Sequence, residues 1–167
     1  MTTAGSREMQ LTFPTETQIL ITRELAAPRQ LVWRAWTTPE LVRRWWAGRR
    51  GEMTIAEVDL RVGGRWRYVM VAHGGQEVAF HGTYRELVEP ERIVHTEVYE
   101  MPGAPETPED QAPLVTVTFT ERDGRTTVEL LTECGSRALR DMIAGSGMEV
   151  GVREQFELVE ELAASLA

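Results

Sequence analysis

Lysine and asparagine are absent from this chain of 167 residues, and cysteine occurs once, as Cys134. All 18 basic residues are therefore arginine. Because lysine and asparagine both have A/T-rich codons, a GC-rich genome explains this better than a set of arginine phosphate sites. A single cysteine excludes an intramolecular disulfide framework and a cysteine cluster for structural zinc. The net charge of -8 disfavours nucleic-acid binding, which needs a basic surface.

Long hydrophobic runs are also missing. The chain has no stretch of about 18 apolar residues that could span a membrane, and its first residues lack the pattern of a secretory signal. Hydrophobic residues make up 42% of the chain, which is enough to build a core at this length. We therefore expect a cytoplasmic protein with a flexible arm at residues 1–14 and a single domain at residues 15–167.

Tryptophan is concentrated in one region, since all five tryptophans lie between Trp33 and Trp66. The indole ring is large, is rarely fully buried, and carries one donor that needs a partner. Such a concentration is typical either of an ordinary core or of the wall and rim of an apolar cavity. The composition leaves both interpretations open.

Hydrophobic periodicity predicts one strand, two short helices, about six further strands and a long final helix. Residues 17–25 alternate as a strand, and Pro28 and Thr38-Pro39-Glu40 then mark two helix starts. From residue 53 to residue 132 the period is two, with glycine turn signals between the strands. Residues 101–113 contain four prolines and predict a long loop. Short turns between strands indicate an antiparallel sheet with one face covered by a helix.

The covering helix is predicted after Ser136, which is a suitable N-cap, and is expected to continue to the end of the chain. Gly145 and Gly147 should weaken or bend it. An apolar stripe follows, with successive spacings of 4, 4, 3, 4 and 3 residues. The stripe consists of Met148, Val152, Phe156, Val159, Ala163 and Leu166.

Several motifs follow one another in an order that is specific as a set, although each is weak alone. They are Ala26-Ala27-Pro28, Trp36-Thr37-Thr38-Pro39-Glu40, Trp45-Trp46, Asp59-Leu60-Arg61-Val62-Gly63-Gly64-Arg65-Trp66, Phe80-His81-Gly82-Thr83-Tyr84, Glu89-Pro90-Glu91-Arg92-Ile93-Val94 and Ser146-Gly147-Met148-Glu149-Val150-Gly151. Over about residues 15–166 the chain resembles the SRPBCC superfamily, also called START-like or Bet v 1-like. Within it, the chain most resembles the group of activator of Hsp90 ATPase homologue 1-like (AHSA1-like) proteins.

This resemblance implies an α+β helix-grip fold. A curved antiparallel sheet of about seven strands wraps around the long C-terminal helix, and two short helices follow strand 1. It also implies a cavity between helix and sheet. Members bind hydrophobic small molecules, some cyclise polyketides, and one branch stimulates Hsp90. The Hsp90-activating proteins carry an additional N-terminal domain, for which this chain has only about 14 residues, so an Hsp90-type partner is disfavoured.

Strand parity, together with this fold, predicts which residues line the cavity. Trp66, Tyr68 and Met70 should face the helix, and Trp45-Trp46 should lie near the mouth. The alternative is a solid interior in which every polar group is satisfied. The predicted ligand-binding residues are Trp45, Trp46, Trp66, Tyr68, Met70, Phe80, Tyr84, His95, Tyr99, Met148, Val152 and Phe156.

His95 is the one histidine expected inside, and it is the only candidate for catalysis. A hydrogen-bonded core histidine is the more common role. His73 lies at a turn and His81 on the opposite face from His95, so we expect no metal site. Neither the sequence nor the resemblance implies a cofactor. The orientation of Glu97 and Glu129 is left open.

The predicted function is binding of a small hydrophobic ligand, which could be aromatic, polyketide-like or acyl/lipid-like. One alternative is a cyclase- or hydrolase-type enzyme acting on such a ligand, suggested by His95 beside Tyr84 and Tyr99. Another is an Hsp90-type chaperone regulator. The sequence leaves homodimer formation open.

Overall fold

The computed structural model describes residues 8–100, 103, 105 and 107–167. Its helices are α1 (Arg29–Thr37), α2 (Pro39–Val42), α3 (Arg137–Ala144) and α4 (Met148–Ser165). A 3-10 turn covers Glu109–Gln111. The strands are β1 (Gln10–Thr12), β2 (Gln18–Leu25), β3 (Gly51–Val58), β4 (Arg65–Ala72), β5 (Glu77–Val88), β6 (Arg92–Thr96), β7 (Val98–Glu100), β8 (Leu114–Arg122) and β9 (Arg125–Glu133).

The strands form an antiparallel sheet in the order β1-β2-β9-β8-β6-β5-β4-β3, and β7 also pairs with β5. Alternate residues of the central strands are buried against the helices, as period two requires. The core joins Val117 and Val128 from the sheet to Phe156 and Val159 from α4. The predicted α+β architecture, a curved sheet around a C-terminal helix, is therefore confirmed. In the part of the chain that the structure describes, no helix is long and apolar enough to cross a membrane.

The number of strands is nine rather than about seven, and one of the additional strands is β1. Residues 1–14 were expected to form a flexible arm, but Gln10–Thr12 pair with β2, with Gln10 opposite Thr22. The free edge of β2 offers unpaired backbone groups, which a neighbouring extended segment can satisfy. Residues 1–7 lie outside the described residues.

The other additional strand arises because the predicted strand 93–99 is divided at Glu97 into β6 and β7. Register with β5 is the same on both sides, since Tyr84 is opposite His95 and His81 is opposite Val98. The same register places Gly82 opposite Glu97. The Glu97 N–H donates to the Pro113 carbonyl at 3.0 Å, so the chain stays extended here.

The final helix is also divided, where the sequence predicted one helix to the end of the chain. Ser136 caps α3 as predicted, because its Oγ accepts from the Leu139 N–H at 3.1 Å. The helix then stops at residues 145–147, where Gly147 has φ of 85°. A glycine adopts this left-handed conformation without a steric penalty, which allows α4 to start in a new direction. Along α4, Phe156, Val159 and Ala163 are buried, as the stripe predicted.

The loop predicted at residues 101–113 lies partly outside the description, since residues 101, 102, 104 and 106 are not described. Its second half contains the 3-10 turn. There the Thr83 hydroxyl donates to the Glu109 carboxylate at 2.8 Å. This bond ties the loop to β5 on the face of the sheet away from α4.

Candidate ligand-binding site

One face of β4 and β5 carries aromatic side chains toward α4. Across these strands Trp66 is opposite Gly82 and Tyr68 is opposite Phe80, and across β5 and β7 Phe80 is opposite Tyr99. Cross-strand partners share a face, so these side chains lie on the inner side of the sheet. Trp66, Tyr68 and Met70 are all buried. The inward parity predicted from the sequence is confirmed for β4.

These rings form a continuous series of contacts, which we call the aromatic chain. Successive contacts have tilted or edge-on geometry, which aromatic pairs prefer. The ring-centroid distances are 5.0 Å for Tyr99–Phe80, 5.5 Å for Phe80–Trp46, 5.5 Å for Trp46–Tyr68, 4.8 Å for Tyr68–Trp66 and 5.1 Å for Trp66–His95.

The adjacent tryptophans after α2 lie in different environments. Trp46 is half-buried and belongs to the aromatic chain. Trp45 is only 4% exposed, and its ring centroid lies 4.6 Å from that of Trp36. Its indole N–H donates to the Ala35 carbonyl at 2.9 Å. The Trp45 indole N–H therefore has its hydrogen-bond partner in the core around α1, whereas the Trp46 ring belongs to the aromatic chain.

On the helix side, Phe156 is 1% exposed and its ring lies 6.3 Å from Trp36. Its ring contact is therefore to the helix α1 rather than to the aromatic chain. Met148 and Val152, nearer the start of α4, are half-buried against the core. They are the stripe residues that stay partly accessible.

The Trp66 indole N–H is a buried donor without a hydrogen-bond partner among the described residues. The ring covers Gly82, since a Cβ built on Gly82 would lie 2.7 Å from Trp66 Nε1 and 1.9 Å from the Thr96 carbonyl oxygen. Leaving a buried donor unpaired costs about 1–3 kcal/mol. Such an atom calls for a partner that the described residues do not supply, so this N–H is a candidate contact for water or a bound molecule.

Gly82→Ala should destabilise the protein by about 1–3 kcal/mol and shift the Trp66 fluorescence maximum, because the new methyl group overlaps a backbone carbonyl and the indole. Chemical unfolding followed by tryptophan emission measures both effects. Gly74→Ala is a control, since a Cβ there meets nothing within 4 Å. Equal stability of the two variants would contradict the close approach at Gly82.

His95 is half-buried on the inner face, and its Nδ1 lies 2.9 Å from the Thr96 carbonyl. A carbonyl only accepts, so Nδ1 carries the proton and Nε2 is an acceptor in the neutral ring. Burial lowers the pKa of His95 to about 4, although the bond to Thr96 acts in the opposite direction. At neutral pH the ring is therefore uncharged and presents an acceptor.

Tyr68 and Tyr84 are protonated for the same physical reason. Burial raises the pKa of Tyr84 to about 12, although the hydrogen bond with Tyr68 lowers it. Burial also raises the pKa of Tyr68 well above its usual value, and the contact with Tyr84 adds to this. Both phenols are therefore uncharged at neutral pH.

Glu97 lies between His95 and Tyr99 and shares their inward parity. Burial raises the pKa of its carboxyl to about 7. Within the described parts of the chain, no hydrogen bond or ion pair reaches this carboxyl. Glu129 lies on the other face, because it alternates with the fully buried Val128. The register thus separates two glutamates that the sequence could not assign.

The site has no arrangement typical of acid–base catalysis around His95. Its only hydrogen bond with the described residues is to a backbone carbonyl, and its pKa of about 4 is far below the value that suits a base near neutral pH. Residues 8–100 and 107–167 also bring no three metal-ligating side chains together. What remains is an apolar wall with a few polar points, among them Trp66, His95 and Glu97.

Comparison with known proteins gives the chain a family. A family model described as "Activator of Hsp90 ATPase homolog 1-like protein" matches residues 26–164. The chain belongs to this AHSA1-like family. The predicted group and superfamily are thereby confirmed, and this fold is consistent with a ligand-binding domain.

Solved structures resemble this AHSA1-like chain closely in fold. A protein from Rhodobacter sphaeroides is 25% identical with a TM-score of 0.84, covering 96% of this chain and 100% of that chain. A protein from Arthrobacter aurescens is 21% identical with a TM-score of 0.82, covering 93% and 91%. An AHSA1-like protein from Aeromonas hydrophila is 23% identical with a TM-score of 0.63, covering 88% and 93%. No curated protein matches the chain significantly.

The outer face of this AHSA1-like sheet carries a polar cluster that was not predicted from the sequence. Arg67 donates twice to the Glu100 carboxylate, at 2.9 Å each, and His81 Nδ1 lies 2.8 Å from the same group. The Arg67 hydrogen bond lowers the pKa of Glu100 to about 2, and His81 contributes. His81 faces outward as predicted, yet it is only 5% exposed. The common parity of Arg67 and His81 on neighbouring strands was the available signal.

The loop after Trp46 is fixed to α4 by several polar contacts. The Gln155 side chain donates to the Trp46 carbonyl at 2.6 Å, and the Arg49 N–H donates to Glu154 at 3.2 Å. Arg50 donates to the Gly147 carbonyl at 3.1 Å. These contacts hold the Trp46 ring against the other rings of the aromatic chain, at the end of the sheet where α4 begins.

Proposed function

We propose that this AHSA1-like protein binds a small hydrophobic ligand, of an aromatic, polyketide-like or acyl type, between α4 and the inner face of the sheet. The observation that carries the proposal is the aromatic chain, in which the Trp66 N–H, next to the inner end at His95, has no partner among the described residues. A wall that is mostly aromatic with a few well-placed polar groups is the usual composition of a ligand pocket.

Partial exposure of the Tyr99 end of the aromatic chain supports the same proposal. Tyr99 is exposed and Phe80 and Trp46 are half-buried, whereas Trp66 and Tyr68 are buried. A ligand that lies along the aromatic chain would cover the exposed rings and place its polar end near Trp66 and His95.

Binding is favoured over catalysis because of the state of His95. Its Nδ1–H is held by a backbone carbonyl, which leaves Nε2 as an acceptor, but burial lowers the pKa of the ring to about 4, so this nitrogen is a weak base near neutral pH. A cyclase or hydrolase remains the second candidate only through the Glu97 carboxyl. An Hsp90-type partner has no specific observation in its favour on the described surface.

The test is a titration with neutral hydrophobic compounds, including a naphthol, a flavone and a long-chain alcohol, followed by tryptophan fluorescence and calorimetry. We expect saturable binding by at least one compound. In Trp66→Phe, affinity for a ligand with an oxygen acceptor should fall about tenfold, the value of one hydrogen bond.

Trp33→Phe is the matched control, because Trp33 is equally buried but packs against Phe119 in the α1 core. It should leave the affinity unchanged while affecting stability. Absence of quenching, heat and thermal shift with every compound would overturn the proposed function.

A further inference from the structure

The inner wall holds a row in which an indole, a glycine and a carboxyl lie side by side. Trp66 is opposite Gly82 on β5, and the register with β5, which is the same on both sides of the break at Glu97, places Gly82 opposite Glu97. Because Gly82 has no side chain, the Trp66 indole and the Thr96 carbonyl can close over it, and the row has Trp66 on one side of Gly82 and Glu97 on the other. Trp66 is only 3% exposed, and its unpaired N–H lies over this glycine.

We propose that the ligand is an organic amine, bound as its cation, with the ammonium group on the Glu97 carboxylate and its apolar part against the aromatic chain. An oxygen acceptor on the ligand would take the Trp66 N–H. This inference rests on the proposed function and narrows its ligand class.

The first argument is the lack of a counter-ion for Glu97 within the described chain. The nearby basic residues are engaged elsewhere. Arg67 lies on the outer face with Glu100, and Arg50 lies near Glu154 and donates to Gly147. Arg140 binds Asp141 and lies 4.6 Å from the Phe13 ring. A half-buried carboxylate is costly without a partner, and a cationic ligand would supply one.

The second argument is the chemistry of the remaining groups around Glu97. His95, two residues away, presents Nε2 as an acceptor. Tyr84 is a protonated phenol. Burial raises the pKa of the Cys134 thiol, just after β9, and the charges of Glu133 and Glu97 add to this effect. Arg140 acts on Cys134 from α3 with the opposite sign. The site is thus rich in acceptors, which suits an ammonium group with several N–H donors.

The third argument is the aromatic chain itself. The faces of tryptophan, tyrosine and phenylalanine rings attract cations through their quadrupoles. Tyr99 lies two residues from Glu97 on the same face, and Trp66 lies on the same face two strands away, beyond Gly82. A free fatty acid or other carboxylate would instead bring a second negative charge to Glu97, so the acyl-anion branch of the ligand class is disfavoured.

The experiment compares three probes that share a naphthyl group and a benzylic hydroxyl and differ in one group. They are 2-amino-1-(naphthalen-2-yl)ethanol, 1-(naphthalen-2-yl)ethane-1,2-diol and 2-hydroxy-2-(naphthalen-2-yl)acetate. Calorimetry of the full chain at pH 8 should show the amine binding about tenfold more tightly than the diol, and the acetate most weakly.

Glu97→Gln should reduce amine affinity to that of the diol and leave diol affinity within about twofold. Glu129→Gln is the matched control on the opposite face and should change neither. A diol or acetate that binds the native protein as tightly as the amine, or an amine that does not bind, overturns the inference while the proposed function stands. Failure of these probes together with the whole neutral panel overturns both. If Glu97→Gln does not fold, the ranking of the three probes on the native protein decides.

Discussion

Phe156→Ala is expected to reduce the free energy of unfolding by about 3–5 kcal/mol, the usual cost of deleting a fully buried phenylalanine side chain. Phe156 is 1% exposed and connects α4 to Trp36 on α1. A domain of this size has a total stability of about 5–15 kcal/mol, so the variant should melt about 6–20 °C lower. Urea unfolding and thermal melting measure the effect.

Phe13→Ala is a control of the same chemistry at an exposed site. Phe13 is 47% exposed, and among the described residues its one aromatic or cation contact is Arg140, at 4.6 Å from the ring centroid. It should cost less than about 1 kcal/mol. If both variants lose similar stability, α4 does not pack against α1 in the way described.

Glu97→Gln should unfold with a higher free energy than the native protein at pH 8. Between pH 4.5 and pH 8 the difference in unfolding free energy, variant minus native, should rise by about 2–3 kcal/mol. Burial raises the pKa of Glu97 from 4.5 to about 7. Between these values the folded carboxyl keeps a proton that the unfolded carboxyl has lost. Stability is therefore full below pH 4.5, falls as pH rises to about 7, and is constant above it.

Glutamine keeps the shape of the protonated acid and cannot ionise, so this dependence should disappear in the variant. Measuring unfolding by urea at several pH values isolates the contribution of Glu97, because His95 and Glu100 titrate in both proteins. Glu129→Gln serves as the control. A native–variant difference that does not change between pH 4.5 and pH 8 would show that the Glu97 carboxyl is solvated.

The inward set on β4 could be predicted because a strand alternates its side chains strictly. Trp66, Tyr68 and Met70 therefore share a face once the hairpin turns define the strand ends, and the amphipathic stripe identified the helix that covers them. Neither result depends on contacts between distant segments. Order and spacing of the motifs were also sufficient to identify the family, since a family pattern is a property of the sequence.

Register could not be predicted, and the polar site depends on it. The alignment of Gly82 with Glu97 and Trp66 requires three strands to pair in one particular way, and nothing local in residues 82 or 97 specifies it. Trp45 and Trp46 show the same limit at shorter range. They are adjacent in the sequence, yet Trp45 donates its indole N–H to the Ala35 carbonyl, whereas the Trp46 ring packs in the aromatic chain.

The sequence by itself determined the kinds of element, the faces of the strands, the fold class and the family of this protein. These follow from periodicity, turn residues and motif order, which are local or linear properties. Only the tertiary structure decided that β1 joins the sheet, that the last helix divides at Gly147, and that a half-buried carboxyl shares the inner face with an indole N–H that has no partner among the described residues. Burial and hydrogen-bond satisfaction depend on which distant segments surround an atom, so they appear only once the chain is folded.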